Sequence, residues 1–132
     1  MKTHPLTCTG CVLDSQGTGF MEPALATDGY QVALVGEALG REAEVSAPFV
    51  GKAGLRLTRL LEWAGFDRNR FDIWNTVWCR PPHNQLEGMD YEHKAISHCR
   101  QQHWDRLLDR VRVLVPMGNV ALNALTGRKG IL

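Results

Sequence analysis

Polar and apolar positions give the first thirty residues no sustained period. Gly10, Gly17, Gly19, Gly29, Pro5 and Pro23 punctuate the stretch, so it reads as irregular chain with turns that needs an anchor elsewhere. The first coherent apolar run is QVALVG at residues 31–36, whose length and terminal glycine predict a strand buried on both faces of a parallel sheet. Residues 52–64 place Ala53, Leu57, Leu60, Leu61 and Ala64 on one helical stripe, with Gly65 as the stop. FDIWNTV at 71–77 is aromatic and β-branched enough for a second strand, which must leave the sheet at Cys79-Arg80-Pro81-Pro82 because proline cannot donate to a ladder. Residues 91–110 predict one long amphipathic helix with Ala95, Ile96, Cys99, His103 and Leu107 on its apolar side. A third strand over 111–115 and a short helix over 119–126, ended by Gly127, complete the pattern.

Strands alternating with helices define an α/β fold: a three-layer α/β/α sandwich with a small parallel central sheet and right-handed crossovers, in one domain over residues 1–132. Ligands of such sheets bind beyond the carboxyl ends of the strands. Here those ends are the loops beginning at Gly36, the stretch 75–79 and the stretch 116–118.

Composition narrows the classes. A chain of 132 residues, 44% apolar and 22% charged, has room for one core. Fifteen Lys and Arg against fourteen Asp and Glu leave a formal charge of +1, which excludes a strongly basic nucleic-acid coat and an acidic tail. There is no run of eighteen apolar residues and no charged-apolar-small leader, so a cytosolic protein without a membrane segment is expected. In a reducing compartment four cysteines call for an explanation other than disulfides. Cys8 and Cys11 form a C-x-x-C pair, while Cys79 and Cys99 lie far downstream, so the four meet only through the fold. Four thiolates suit an iron–sulfur cluster or tetrahedral zinc, and buried free thiols are the plain alternative.

Three stretches carry a family resemblance: GEALG at 36–40, PFVGKAG at 48–54 and WNTVWCRPPHN at 74–84. Together with the cysteine layout they resemble the iron–sulfur (family 4) uracil-DNA glycosylases, which have an N-terminal C-x-x-C, a cysteine just before R-P-P and a fourth on the following helix. The likeness covers nearly all of residues 8–127, and CTGCVLDSQGTGF at the start resembles bacterial and phage versions. It implies a monomeric, cytoplasmic, bacterial or phage-encoded hydrolase of N-glycosyl bonds. Such an enzyme removes uracil from DNA to leave an abasic site in base excision repair. It also implies a [4Fe-4S] cluster on Cys8, Cys11, Cys79 and Cys99, with zinc as the alternative, tying the N-terminal segment to the sheet.

Residue roles follow from the same likeness. Phe49 stacks on the extruded uracil, since a flipped base has lost its duplex neighbours. The Asn75 carboxamide presents a donor and an acceptor that match uracil O4 and N3–H, where cytosine offers the opposite pattern. Glu37 lies against base and sugar with two roles open to it, activating the attacking water or excluding thymine near C5. Backbone N–H groups of the loop containing Gly36, Glu37 and Ala38 are the donors expected at uracil O2. Lys52, Arg56 and Arg80, with Arg59, Arg128 and Lys129, are the cations expected to contact DNA, weakly and with salt sensitivity given the small net charge.

The sequence also departs from the family. Leu39 replaces a usual proline, Ala43 an acidic residue flanked here by Glu42 and Glu44, and Gln85 an arginine, and the loop to Pro48 is one residue short. The chain ends at Leu132, before the family's fourth strand and late H-P-S-like histidine, a motif that none of His4, His83, His93, His98 or His103 matches. A catalytically impaired or incomplete iron–sulfur DNA-binding module of the same fold is therefore the competing expectation, and a zinc-bound nucleotide-binding domain a third. GEALG has neither G-x-G-x-x-G nor the P-loop pattern that the third would favour.

Overall fold

Parallel pairing of three short apolar runs organises the molecule. The computed structural model describes residues 4–40 and 48–130; Glu42, Ala43, Glu44 and the length of the loop before Pro48 lie outside them. In chain order the elements are β1 (Thr18–Phe20), β2 (Val32–Gly36), α1 (Lys52–Trp63), β3 (Asp72–Asn75), β4 (Cys79–Arg80), α2 (Glu92–Cys99), β5 (Val113–Pro116) and α3 (Asn119–Thr126). The α/β class is as expected, with strand positions within two residues of the expected runs. β2 is central, and β3 and β5 flank it in parallel, so that Ala33 faces Asp72 and Leu114, and Gly36 faces Asn75.

Side chains alternate across a strand, which gives the two faces of this sheet different tasks. Ala33, Val35 and Trp74 point to one face and pack with Phe20, Trp78, Trp104 and Ala121 in the main core. Leu34, Gly36, Ile73 and Asn75 point to the other. No helix among the described residues is long and apolar enough to cross a membrane.

Three expectations need correction. The single helix over 91–110 is instead α2, a π turn over Arg100–Trp104 and a 3-10 helix over Asp105–Arg110. Neighbouring residues diverge less in the wider π turn, and this brings both His103 and Trp104 into the interior beside Cys99. Cys79 and Arg80 do leave the parallel sheet, but they pair antiparallel with β1, so the first thirty residues are not irregular throughout. The stripe on α1 is only partly buried: Gly54 is its buried residue, Leu57 and Leu61 are half-buried, and Ala53, Leu60 and Ala64 are exposed. Among the described residues α1 leans chiefly on the turn Arg68–Arg70, too small a surface to cover the whole stripe.

Asp72 ties three segments together on the core face. It is 3% exposed, its carboxylate accepts from Arg110 Nε at 2.6 Å and NH2 at 3.1 Å, from Ala26 N at 2.8 Å and from Trp74 Nε1 at 3.2 Å. Burial pushes its carboxyl up, yet these donors and the Arg110 charge hold it below the ordinary carboxylate value. Its contribution to stability is therefore complete above the unfolded carboxylate pKa and disappears as pH falls through the lower folded one. Asp72→Asn is expected to lose about 2 kcal/mol at neutral pH and to flatten the acid limb of stability, measured by thermal melts between pH 3 and 7.

Candidate functional site

A cleft of about 320 Å³ opens at the carboxyl end of the sheet, lined by Glu37, Ala38, Phe49, Lys52 and Met117 among others. Its floor is set by pairing. Thr76 N and Oγ1 both donate to Gly36 O, at 2.9 and 2.7 Å, and Val77 N donates to Glu37 O at 3.0 Å. Met117 N reaches Val35 O at 2.8 Å from the third strand end. The loop after β2 is thereby locked to the stretch after β3, and the registered pair Gly36 and Asn75 lies side by side on the face away from the main core.

Phe49 covers that pair. A Cβ built on Gly36 would stand 2.3 Å from the Phe49 ring and 2.9 Å from Asn75 Oδ1. Only glycine leaves the ring room to approach the strand. Gly54 does the same for the backbone, since a Cβ there would come within 1.7 Å of Phe49 O. The PFVGKAG run is therefore a packing device: its last glycine lets the first turn of α1 rest on the Phe49 peptide.

Phe49 itself has φ +57°, a left-handed conformation that costs a bulky residue about 1–3 kcal/mol. Arg68 holds it there. Its guanidinium donates to Pro48 O at 2.9 Å, Phe49 O at 2.7 Å, Gly54 O at 3.1 Å and Thr58 Oγ1 at 2.8 Å. Sequence reasoning missed this residue, because nothing local distinguishes an arginine in a D-R-N-R turn from a solvated one.

Asn75 is 5% exposed, and its buried Oδ1 has no hydrogen-bond partner among the described residues. Such a group is costly unless something completes it. Glu37 is half-buried, and its carboxyl lies above the usual value because burial disfavours its charge, with the Glu87 and Glu92 carboxylates adding to the effect. Lys52 lines the cleft, and exposed Arg56 follows one turn later on α1. Arg80 is elsewhere, in β4 opposite Thr18, with its Nε on Asn84 Oδ1.

The four cysteines line a second cavity, together with His4, Trp78, His98 and His103. All are free thiols. Cys11 N donates to Cys8 O at 2.9 Å and closes the C-x-x-C turn. Burial, with the other thiols nearby, pushes Cys8 up to about 11 and Cys79 up to about 12. Cys99 is raised too, chiefly by burial. Trp78 N donates to Cys99 Sγ at 3.4 Å, while Trp78 Nε1 and His4 Nε2 are buried without partners among the described residues. Four thiols ringed by unanswered nitrogens fit an anionic, thiolate-bound group. Among the described residues no three His, Cys, Asp or Glu side chains stand where one metal ion could bind them.

Comparison with known proteins gives the family. Residues 24–131 match the uracil DNA glycosylase superfamily. The chain belongs to that superfamily. It is similar to the type-4 uracil-DNA glycosylase of Thermotoga maritima, 36% identical over 120 residues that cover 89% of this chain and 57% of the relative. Against that of Sulfurisphaera tokodaii it is 31% identical over 137 residues, covering 98% and 58%. Against that of Archaeoglobus fulgidus the identity is 36% over 81 residues, covering 61% and 40%. The chain thus matches between 40% and 58% of the length of these relatives.

The Arg68 clamp makes a direct prediction. Arg68→Met is expected to destabilise the chain by about 2 kcal/mol and to speed amide exchange at residues 51–55, whereas Arg68→Lys, which keeps a single donor head, recovers part of the loss. Hydrogen exchange read by mass spectrometry, beside thermal melts, checks both.

Proposed function

We propose that this chain excises uracil from DNA, hydrolysing the N-glycosidic bond and leaving an abasic site, and that Asn75 reads the base. The observation that carries the reading is the buried Asn75 Oδ1, unpartnered among the described residues, beside the Phe49 ring at the end of the parallel sheet. An extruded uracil stacked on that ring supplies the missing partner through N3–H, while the carboxamide nitrogen donates to O4. Cytosine presents its donor and acceptor the other way round and leaves both ends of Asn75 unpaired.

Chemistry follows from charge. As the C1′–N1 bond breaks, the sugar turns positive and the departing uracil negative, so N–H groups of the Gly36, Glu37 and Ala38 turn stabilise uracil O2. Glu37 takes a proton from the water that adds to C1′. Its raised pKa brings it nearer the solution pH, where a general base works best. Lys52 and Arg56 meet the DNA phosphates at the rim of the cleft, which makes binding salt-dependent. Arg80 extends this contact from β4.

Cys8, Cys11, Cys79 and Cys99 would hold a [4Fe-4S] cluster that binds the N-terminal segment to β4 and α2. A single zinc ion on the same four thiols is the alternative. Free thiols of this kind suit a reducing cytoplasm.

Protein purified without oxygen is expected to be brown and to release uracil from a single-uracil oligonucleotide, with alkali-labile sites as the readout. Phe49→Ala and Asn75→Ala should each lower the rate about 100-fold or more. Brown wild-type protein that binds such DNA and never releases the base would contradict the enzymatic reading and leave a binding module. The pH profile separates the two roles of Glu37. As the base, it gives a rate that falls with acid at a pH above the ordinary carboxylate range, and Glu37→Gln is about 100-fold slower without that limb. Thymine release by Glu37→Ala at an unchanged uracil rate would assign it to thymine exclusion instead.

A further inference from the structure

We propose that His103 is a positioning residue of the cysteine centre, its Nε2–H donating to the thiolate of Cys8. The inference rests on the cluster reading given above and goes beyond the four ligands to a fifth side chain. Nε2 of His103 stands 3.6 Å from Cys8 Sγ, across 95 positions of sequence. That is hydrogen-bonding distance for sulfur. The ring is 5% exposed, stacks on Trp78 with centroids 5.0 Å apart and planes 23° apart, and meets Phe20 at 5.1 Å. Two aromatic neighbours therefore fix the direction in which Nε2 points.

A ligating cysteine has lost its S–H, so the proton of this contact must belong to the imidazole. Four thiolates around a cluster bring negative charge into an apolar cavity, and each N–H aimed at sulfur offsets part of the penalty. His103 shares the task with the Trp78 backbone N–H on Cys99. Fold geometry supplies the reason for its place: Cys99 closes α2 and His103 lies in the π turn that follows. One helical segment thus presents a ligand and, four residues later, the donor to another ligand. His103 lines the cysteine cavity and not the cleft of Glu37 and Phe49, so it touches no substrate.

The full chain, purified without oxygen as wild type, His103→Gln and His103→Phe, tests this. Gln keeps an N–H donor, whereas Phe keeps the aromatic stack and removes the donor. Iron and sulfide per chain, the decay of visible absorbance in air and the reduction potential by voltammetry are the readouts. We expect full loading of the wild type, about 10-fold faster cluster loss in His103→Phe with a more negative potential, and a rate near wild type in His103→Gln. Wild-type decay and potential in His103→Phe would overturn the proposal, as would equal acceleration in both variants, which would assign the effect to packing. Wild-type protein that binds no iron would overturn the cluster reading itself, an outcome distinct from a loss confined to the Phe variant. Should His103→Phe fail to fold, pulsed EPR of the reduced wild type labelled with ¹⁵N-histidine decides: a histidine nitrogen coupled to the cluster supports the bond, and its absence overturns it.

Discussion

Everything at the cleft depends on how closely the Phe49 ring can approach the backbone of Gly36. The approach joins three separate parts of the chain: the end of β2, the turn before α1 and the turn before β3. A side chain at residue 36 or 54 would forbid it, and the left-handed backbone of Phe49 would relax without Arg68. One guanidinium answers the carbonyls that this unusual turn leaves over, so strain at the site is balanced by charge-assisted hydrogen bonds to a neighbouring turn. Asn75 then sits beside a ring whose position is fixed beforehand, as the proposed recognition of a single flipped base requires.

A second constraint keeps the first in place. β3 leads from Asn75 through Thr76 and Val77 to Cys79, so Asn75 and a thiol share one short stretch of chain. Trp104, from the π turn after Cys99, donates to Thr76 O at 3.0 Å. The cysteine cavity and the cleft thus lie on opposite sides of the same few peptide groups. Loss of order around the thiols would reach Asn75 through Thr76, so the proposed cluster would act on the cleft through structure.

Much of this was legible in the sequence. Buried runs at 31–36 and 71–77 read correctly as strands because parallel strands are apolar on both faces, and the strand ends directed attention to Gly36 and Asn75. The family resemblance carried in part by PFVGKAG marked Phe49. What escaped was whatever depends on distant partners. The π turn has no local signature, since its cause is the burial of His103 and Trp104 together. β1 was invisible because its three residues pair with the distant β4. Arg68 was missed because its four acceptors come from two other segments. The stripe on α1 was over-read: periodicity locates an apolar face but not the surface that covers it.

The central claim is that the carboxamide of Asn75 is completed by uracil and by no cytosine. Titration of free uracil and free cytosine into ¹⁵N-labelled protein, followed at the side-chain amide resonances of Asn75, tests it without requiring turnover. The account predicts a saturable shift of those two resonances with uracil, none with cytosine, and no shift with either base once Phe49 is replaced by alanine. Equal shifts with both bases, or none with uracil while the Phe49 ring resonances move, would contradict it.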